Sequence, residues 1–148
     1  MSTQSRAVRA DRGQSVLLLP AGFLILLILG ALVLEAAALH LRQRQLDDLA
    51  DSLANDAAAV GFDIAEFRDS GDVQIDGGRA GDAATVSIEF SNLPDARVVG
   101  VRVDSGAVPA VEIELEVNHE YIIGRNLLGG ASDTLTATGR AELVRSSP

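Results

Sequence analysis

The side chains best suited to catalysis or metal binding are few and scattered along this chain. The two histidines, His40 and His119, are far apart in the sequence, and Cys is absent. A structural zinc site needs about four N or S ligands, and no G-x-S-x-G sequence marks a nucleophilic serine. Glu112, Glu114 and Glu116 repeat with a period of two, which places them along one solvated strand face. The sequence therefore predicts a protein that is not an enzyme and has no cofactor, with His40 at a membrane interface and His119 on the surface at a strand end.

An acidic, glycine-containing stretch is the one candidate for a metal site. Asp69, Asp72 and Asp76 occur there with three glycines between residues 69 and 78, and carboxylate oxygens are the ligands that Ca²⁺ prefers. The spacing fits no EF-hand loop. A flexible acidic turn that joins a helix to a sheet explains the same residues, so both interpretations stay open.

An uncharged apolar segment near the N-terminus predicts that the chain is located at a membrane. Residues 16–34 read VLLLPAGFLILLILGALVL and contain 19 residues without a charged side chain. At 1.5 Å per residue, a helix of this length covers about 28 Å, close to the hydrocarbon thickness of a bilayer. We therefore expect one transmembrane helix over residues 16–34.

The charges on either side of this segment predict its orientation. Three Arg and one Asp precede it in residues 1–15, whereas residues 35–148 carry 9 Arg against 20 Asp plus Glu. Positive-inside bias then places the N-terminus in the cytoplasm, and the acidic remainder argues against a nucleic-acid partner. A cleaved signal peptide is the competing interpretation, because Ala36, Ala37 and Ala38 form an A-x-A-like site. Signal h-regions usually span about 7 to 15 residues, and the helical pattern continues past this site, so we favour a retained anchor.

The helical pattern extends beyond the apolar segment to residue 60. Neither Pro nor Gly occurs from residue 35 until Gly61, and apolar side chains recur at spacings of 3, 4 and 7, as on one face of a helix. This set, called the stripe below, consists of Leu39, Leu46, Leu49, Leu53, Ala57 and Val60. The stripe needs a partner, which is either the chain's own C-terminal sheet or a neighbouring protein.

Beyond residue 71 the apolar period changes to two, as in half-buried strands. Four segments carry this alternation, namely residues 85–91, 99–103, 111–117 and 135–143, and a weaker one covers residues 73–75. The turn-rich separators are short enough for antiparallel neighbours. The sequence therefore predicts an antiparallel meander of four to five strands with one apolar face.

Together these segments predict a membrane-anchored α+β protein. A long N-terminal helix, transmembrane in its first half and amphipathic in its second, packs on the small β-meander. The expected divisions are a cytoplasmic basic leader (1–15), a transmembrane helix (16–34), an extracytoplasmic amphipathic helix (35–60), a linker (61–71) and an antiparallel β domain (72–148). With no Cys, the outer domain must be stabilised by packing alone.

Two stretches of the sequence resemble a known family. The segment DRGQSVLLLPAGFLILLILGALVLEAAALHLRQRQLDDLADSLANDAAAVGFD is similar to the start of TadE/TadG-like proteins of bacterial tight-adherence (Tad) pilus systems. The C-terminal VEIELEVNHEYIIGRNLLGGASDTLTATGRAEL resembles their closing hairpin. The resemblance implies a type IV pilin-like fold and a minor pilin or pseudopilin in the cytoplasmic membrane. Its implied partners are the lipid bilayer, other pilins, pilus-assembly platform proteins and a prepilin peptidase.

The resemblance also implies a processing site, and here the chain departs from the family pattern. Prepilin-type cleavage follows a glycine and expects glutamate at the fifth mature position. Gly13 and Gln14 would flank the cut, but the fifth mature residue is then Leu18. Glu35 lies at the opposite end of the apolar segment, where a carboxylate reaches water at low cost.

Two functions from different classes follow. The first is a structural minor pilin or pilus-assembly subunit of a Tad-type adhesion or secretion apparatus, which is incorporated in a surface pilus or primes its assembly. The second is a single-pass anchored module whose exposed sheet face binds a cell-envelope partner.

Overall fold

The structure, a computed structural model, describes the backbone of residues 7–121 and 132–144, with side chains from residue 18 onward. Its elements in chain order are α1 (Ala7–Gly61), α2 (Ile64–Ser70), α3 (Gly77–Glu89), β1 (Ala96–Asp104), β2 (Ala110–Glu120) and β3 (Ser132–Glu142). The chain divides into two compact units, Met1–Ala38 and Leu39–Pro148. The α+β class and the long N-terminal helix are therefore confirmed.

Helix α1 is continuous over 55 residues. Its sequence is rich in Ala and Leu, which lose little side-chain freedom in a helix. Pro20 lies inside the helix, a position that apolar membrane helices tolerate because neighbouring groups compensate for the missing hydrogen bond. The helix ends at Gly61, where an added Cβ would lie only 3.0 Å from atoms of Ala80 and Ile75.

The sheet contains three antiparallel strands in the order β1-β2-β3 within the described ranges. Strand β2 is central, with its apolar side chains buried and its glutamates facing outward. Its pairing with β3 is regular from Ala110↔Glu142 to Glu120↔Ser132. The strands predicted at residues 99–103, 111–117 and 135–143 are thus confirmed, and each is longer than expected.

Strand β1 contains an irregularity that the sequence did not predict. Its register shifts between Val98, which pairs with Leu115, and Gly100, which pairs with Glu114. Val99 is the extra residue of this bulge and is 47% exposed, although the alternation had placed it on the apolar face. A bulge puts two residues opposite one and changes which positions face inward, so Val98 packs against the core instead.

The strand predicted over residues 85–91 is wrong, because these residues lie almost entirely in α3 or its C-cap. Ala80 and Ala84 are fully buried and Ile88 packs beside them, a spacing of four that matches one helix face. Val86 and Phe90, the other two apolar members of the predicted strand, are 55% and 83% exposed. The buried alanines therefore favour a helix over residues 77–89. Their packing outweighs the period-two alternation of residues 85–91, which predicts a strand.

The predicted linker (61–71) and the weak fifth strand (73–75) also differ from the observed structure. Residues 64–70 form α2 within the segment predicted as a linker, and α3 lies within the segment predicted as a β domain. Residues 73–75 form only an isolated bridge, in which Ile75 pairs with Phe62. Asp63 N–H donates to the carbonyl of Gln74 at 3.0 Å, so this segment is fastened to the start of α2 rather than to the sheet.

Among the described residues of the second unit, one apolar cluster forms the core. It joins the buried side chains of α1 and α3 to the inward face of the sheet. Its largest fully buried members are Leu46, Leu53, Ile113, Leu115, Val111 and Val117. Both helices therefore lie on the same face of the sheet, and the opposite face is open to solvent.

Candidate functional site

The N-terminal half of α1 carries an uncovered apolar surface. The large apolar side chains from Leu18 to Leu34 are each between 52% and 78% exposed. An 18-residue window of this helix has a mean hydropathy of 2.5 and is 0% buried. Within the described residues, α1 is the one helix that is long and apolar enough to cross a membrane. This half of the helix is suited to lipid or to neighbouring apolar helices.

The stripe on the outer half of α1 faces the chain's own sheet. Leu46, Leu53 and Ala57 are between 0% and 2% exposed, and Leu49 packs at the edge of the same cluster. Leu39 is half-buried, and Val60 is 54% exposed. Of the two partners that the sequence left open, the intramolecular sheet covers most of the stripe. The full stripe is consequently not available to a neighbouring protein.

Three alanines that the sequence analysis did not assign to the stripe complete this helix face. Ala50, Ala54 and Ala58 are between 0% and 2% exposed. With Leu46, Leu53 and Ala57 they make a face that alternates large and small side chains, which lets a helix approach a sheet closely. These alanines follow Leu46 at intervals of four residues, which is the sequence signal that places them on the same helix face.

The closest approach of helix and sheet occurs at Gly139 of β3. A Cβ atom built on Gly139 would overlap the backbone carbonyl of Ala50 and press on the backbone nitrogen of Asp51. Only a glycine fits this contact, because the obstructing atoms are backbone and cannot move aside as a flexible side chain would. Nothing in the local sequence TATGRAE distinguished this glycine from one that weakens an edge strand.

Polar contacts of Arg42 and Gln43 join this part of α1 to both sides of the sheet. Gln43 Nε2 donates to the backbone carbonyl of Thr136 in β3 at 2.9 Å and to Asp47 Oδ1 at 2.9 Å. Arg42 Nη2 lies 3.9 Å from Asp95 Oδ2, in the turn before β1. The helix is therefore linked to both edge strands at the end of the module where β1 begins and β2 ends.

The acidic stretch considered for Ca²⁺ caps helices instead. Asp76 is the N-cap of α3, and its Oδ1 accepts hydrogen bonds from the backbone N–H groups of Gly78 and Arg79 at 2.9 and 3.1 Å. Asp69 lies in α2, and Asp72 follows the left-handed Gly71 that ends this helix. Among the described residues, no group of three or more His, Cys, Asp or Glu side chains is placed to hold a metal ion. The structure does not bring these three carboxylates together.

Hydrogen bonds lower the pKa of Asp76. The backbone N–H of Arg79 and then its side chain stabilise the carboxylate and hold its pKa below the usual 3.8. The Arg79 guanidinium also lies 3.7 Å from Asp63 Oδ2, and Asp63 is the N-cap of α2. One arginine thus joins the caps of two successive helices.

We expect the Asp76→Ala variant to lose thermal stability in a pH-dependent way. A lowered folded-state pKa means that the carboxylate stabilises the fold above pH 3.8 and loses this effect as the pH falls through the folded-state pKa. Thermal melts by circular dichroism should show a lower Tm for Asp76→Ala at pH 7 and convergence with the unmodified chain in acid. Asp82→Ala, on an exposed side chain of the same helix, is the matched control and should melt like the unmodified chain. A Tm difference that is independent of pH would contradict this account.

The histidines occupy different environments. His40 is exposed on α1, whereas His119 is 9% exposed and its buried Nε2 has no hydrogen-bond partner among the described residues. The His119 ring meets Tyr121 edge-on with centroids 5.6 Å apart. The predicted surface position of His119 is therefore wrong, because the inward face of β2 extends two residues beyond Val117.

The outer face of the sheet is a ladder of ion pairs. Arg97 Nε lies 2.6 Å from Glu116 Oε1, and Arg102 Nη1 lies 3.1 Å from Glu112 Oε1. Arg140 contacts Asp104 at 3.6 Å and Glu142 at 3.2 Å. Exposed pairs of this kind contribute little to stability. Glu112, Glu114 and Glu116 thus lie on the outer face of the sheet, as predicted. Glu112 and Glu116 have arginine neighbours there.

A groove lies at the other end of the module, beside the β1–β2 connection. Its volume is about 770 Å³. Its lining residues are 72–75, 105–109 and 143–144. The apolar side chains include Val73, Val108 and Val144, and Asp72 supplies a carboxylate. The groove is large enough for a short peptide or a small ligand.

The residues proposed for leader cleavage, Gly13 and Gln14, lie within the helical backbone of α1, and their side chains are outside the described part of the chain. Comparisons with protein-family models, with curated proteins and with solved structures gave no match.

Proposed function

We propose that this chain is a structural subunit of a Tad-type, type IV pilus-like apparatus, held in the bacterial cytoplasmic membrane by the N-terminal half of α1. The observation that carries the proposal is the contrast within one continuous helix. Side chains from Leu18 to Leu34 are uncovered, whereas Leu46, Ala50 and Leu53 are buried against the sheet. A helix of this kind is suited to hold a small folded module at a membrane surface.

The difference in burial between the two halves of α1 indicates how the subunit would join an assembly. The outer half already has its partner, so docking through the stripe would require the module to unfold. The uncovered residues 18–34 can instead exchange lipid contacts for contacts with the apolar helices of neighbouring subunits. In membranes such association is driven by close packing rather than by the hydrophobic effect. We therefore assign assembly contacts to residues 18–34.

The charge distribution supports an N-terminus in the cytoplasm. The leader in residues 1–15 is basic, and residues 35–148 carry 20 acidic side chains against 9 arginines. Under the positive-inside rule, the folded module then lies outside the cytoplasmic membrane. The TadE/TadG-like sequence order described above supports the same topology.

Photo-crosslinking in the native bacterium tests the assembly role. A photoreactive phenylalanine analogue at Phe23, which is 62% exposed in the span, should crosslink to other subunits of the apparatus. The same analogue at Phe67, which is 40% exposed on α2, is the matched control and should give no such product. The subunit should also appear in sheared surface material or be required for the appearance of that material. Crosslinks to lipid alone, together with unchanged surface filaments in a deletion strain, would contradict the proposal.

The intact mass of the protein purified from its native membrane tests retention of the anchor. A chain that begins at Gln14 would establish cleavage after Gly13 despite Leu18, and one that begins at Met1 or Ser2 would retain the leader. Both keep residues 18–34 and agree with the proposal. A chain that begins at Leu39 would show that residues 1–38 are a removed signal peptide and would overturn it.

An anchored binding module is the second candidate, and the groove of about 770 Å³ favours it. In this alternative, the groove or the outer sheet face binds a component of the cell envelope. The crosslinking experiment separates the two functions, because a binding module would crosslink to its partner from Val108 in the groove wall and not from Phe23.

A further inference from the structure

Strand β3 forms an open edge of the sheet. Within the described ranges it pairs only with β2, and Leu143 N–H donates to the Pro109 carbonyl at 2.9 Å in the same register. Because bonded and non-bonded pairs alternate along an antiparallel ladder, the odd-numbered residues of β3 bond to β2. The backbone N–H and C=O groups of Thr136, Thr138 and Arg140 therefore point away from the sheet.

This edge lacks the features by which proteins usually block an exposed strand. It extends over the 11 residues Ser132–Glu142 with neither a proline, a lysine nor a bulge, whereas β1, at the other edge, is interrupted by its bulge at Val99. The outward backbone groups of Thr138 and Arg140 have no partner among the described residues. A long edge of this kind is a template for pairing with another strand.

Helix α1 runs alongside this edge. Gln43 Nε2 donates to the outward carbonyl of Thr136 and to Asp47 Oδ1, at 2.9 Å each, so the Asp47 carboxylate lies beside the edge. Seven residues after Gln43, the backbone of Ala50 contacts Gly139. Seven helical residues rise about 10 Å, and the chain from position 136 to position 139 of a strand also covers about 10 Å. Helix and strand therefore run side by side in the same direction.

The flank of α1 beside the edge is acidic. Asp51 lies one turn after Asp47 on the same side of the helix, both side chains are exposed, and neither forms an ion pair with a described residue. The two positions are about 6 Å apart along the helix, close to the roughly 6.6 Å between alternate residues of a strand. The inward side chains of β3 below them are small, namely Ala137, Gly139 and Ala141. An added strand would have room there for long basic side chains that reach both carboxylates.

We propose that the open edge of β3 binds an extended segment of another protein that carries arginine or lysine at alternate positions. The segment pairs antiparallel with residues 136–142 and directs its basic side chains to Asp47 and Asp51. The net charge of the chain, −9 at pH 7, favours such a partner. A second copy paired through its own β3 does not fit, because paired strands lie about 4.8 Å apart whereas the two α1 helices above them need about 8–10 Å. The inference concerns the second unit and does not rest on the proposed function.

Amide hydrogen exchange, followed by NMR on the full chain in nonionic micelles, tests the pairing. The probe is the peptide acetyl-Thr-Arg-Val-Arg-Val-Arg-Thr-amide. We expect it to slow exchange of the Thr138 and Arg140 amides about tenfold or more and to leave Ala137, whose amide already bonds to β2, little changed. One control peptide has Glu in place of each Arg. The other has N-methyl groups on both Val residues, whose N–H groups would bond to β3. Neither control should protect these amides.

Matched variants test the acidic flank. Asp47→Asn combined with Asp51→Asn should weaken binding of the arginine peptide about tenfold. Asp48→Asn combined with Asp56→Asn removes the same charge from other exposed positions of α1 and should leave binding unchanged. Thermal melts verify that both double variants fold.

Three results would overturn the inference. Equal weakening by the two double variants would show that binding depends on overall charge and not on this flank. Protection by the N-methylated peptide, or no protection by the arginine peptide, would refute strand pairing. Slow exchange of the Thr138 and Arg140 amides without peptide, increasing with protein concentration, would show that a second copy covers the edge.

Discussion

Replacing Gly139 with alanine should lower the Tm of the folded module by about 10 °C or more. The new methyl group would overlap the backbone of Ala50, so α1 must move away from β3 and lose contact along the whole stripe. Overpacking in a closed core costs about 1–3 kcal/mol and more where nothing can yield. Each kcal/mol shifts the Tm of a domain of this size by about 4–8 °C. Thermal melts of the full chain in detergent micelles, followed by circular dichroism, measure the effect.

The matched control is Gly81→Ala in α3. A Cβ atom there meets nothing within 4 Å, and alanine is preferred over glycine inside a helix by about 1 kcal/mol. Gly81→Ala should therefore raise the Tm slightly while Gly139→Ala lowers it strongly. If Gly139→Ala melts within a few degrees of the unmodified chain, α1 does not cross β3 at Gly139 as described.

Replacing Leu46 with aspartate should abolish the fold of the module outright. Leu46 is 0% exposed, and removal of a buried leucine side chain alone costs about 2–5 kcal/mol. Burial of an unpaired carboxylate adds a further penalty, and the sum approaches the 5–15 kcal/mol that stabilises a typical domain. Limited proteolysis of the full chain in micelles should then degrade residues 39–148 rapidly.

Leu41→Asp is the control for this experiment, because Leu41 is 61% exposed on the same helix. It should resist protease as the unmodified chain does. The comparison also decides between the two partners that the sequence allowed for the stripe. A protease-resistant Leu46→Asp variant would mean that the stripe faces a neighbouring protein and not the chain's own sheet.

The features predicted correctly from sequence are those with strong periodicity. The uncharged run of residues 16–34, the helical spacing of Leu46 and Leu53, and the strict alternation in β2 each extend over enough residues to exclude other structures. They determine the α+β class, the long helix and three strands. In each case a single local pattern agrees with the tertiary packing.

The errors arose where small residues or tertiary contacts decide the outcome. Ala80 and Ala84 stabilise α3 through packing, but alanine carries little weight in an apolar pattern, so the alternation in residues 85–91 wrongly predicts a strand. The bulge at Val99 has one sequence signal, the adjacent Gly100, because an isolated glycine inside a strand pattern often marks a bulge. Gly139 matters only through a backbone 89 residues earlier in the chain. His119 is buried because the inward face of β2 continues to the end of the strand.

The most direct test of the proposed function is the location of the N-terminus and of the folded module across the membrane. The chain has no Cys, so Ser15→Cys and Thr138→Cys each introduce a unique thiol, the former at a position that a chain beginning at Gln14 also retains and the latter on the exposed face of β3. In bacterial spheroplasts, a membrane-impermeant maleimide should label the Thr138→Cys variant at once and the Ser15→Cys variant only after permeabilisation. Both variants should stay in the membrane pellet after a carbonate wash. Equal labelling of the two thiols in intact spheroplasts, or release of the Thr138→Cys chain into the supernatant, would contradict a single-pass anchor with its N-terminus in the cytoplasm.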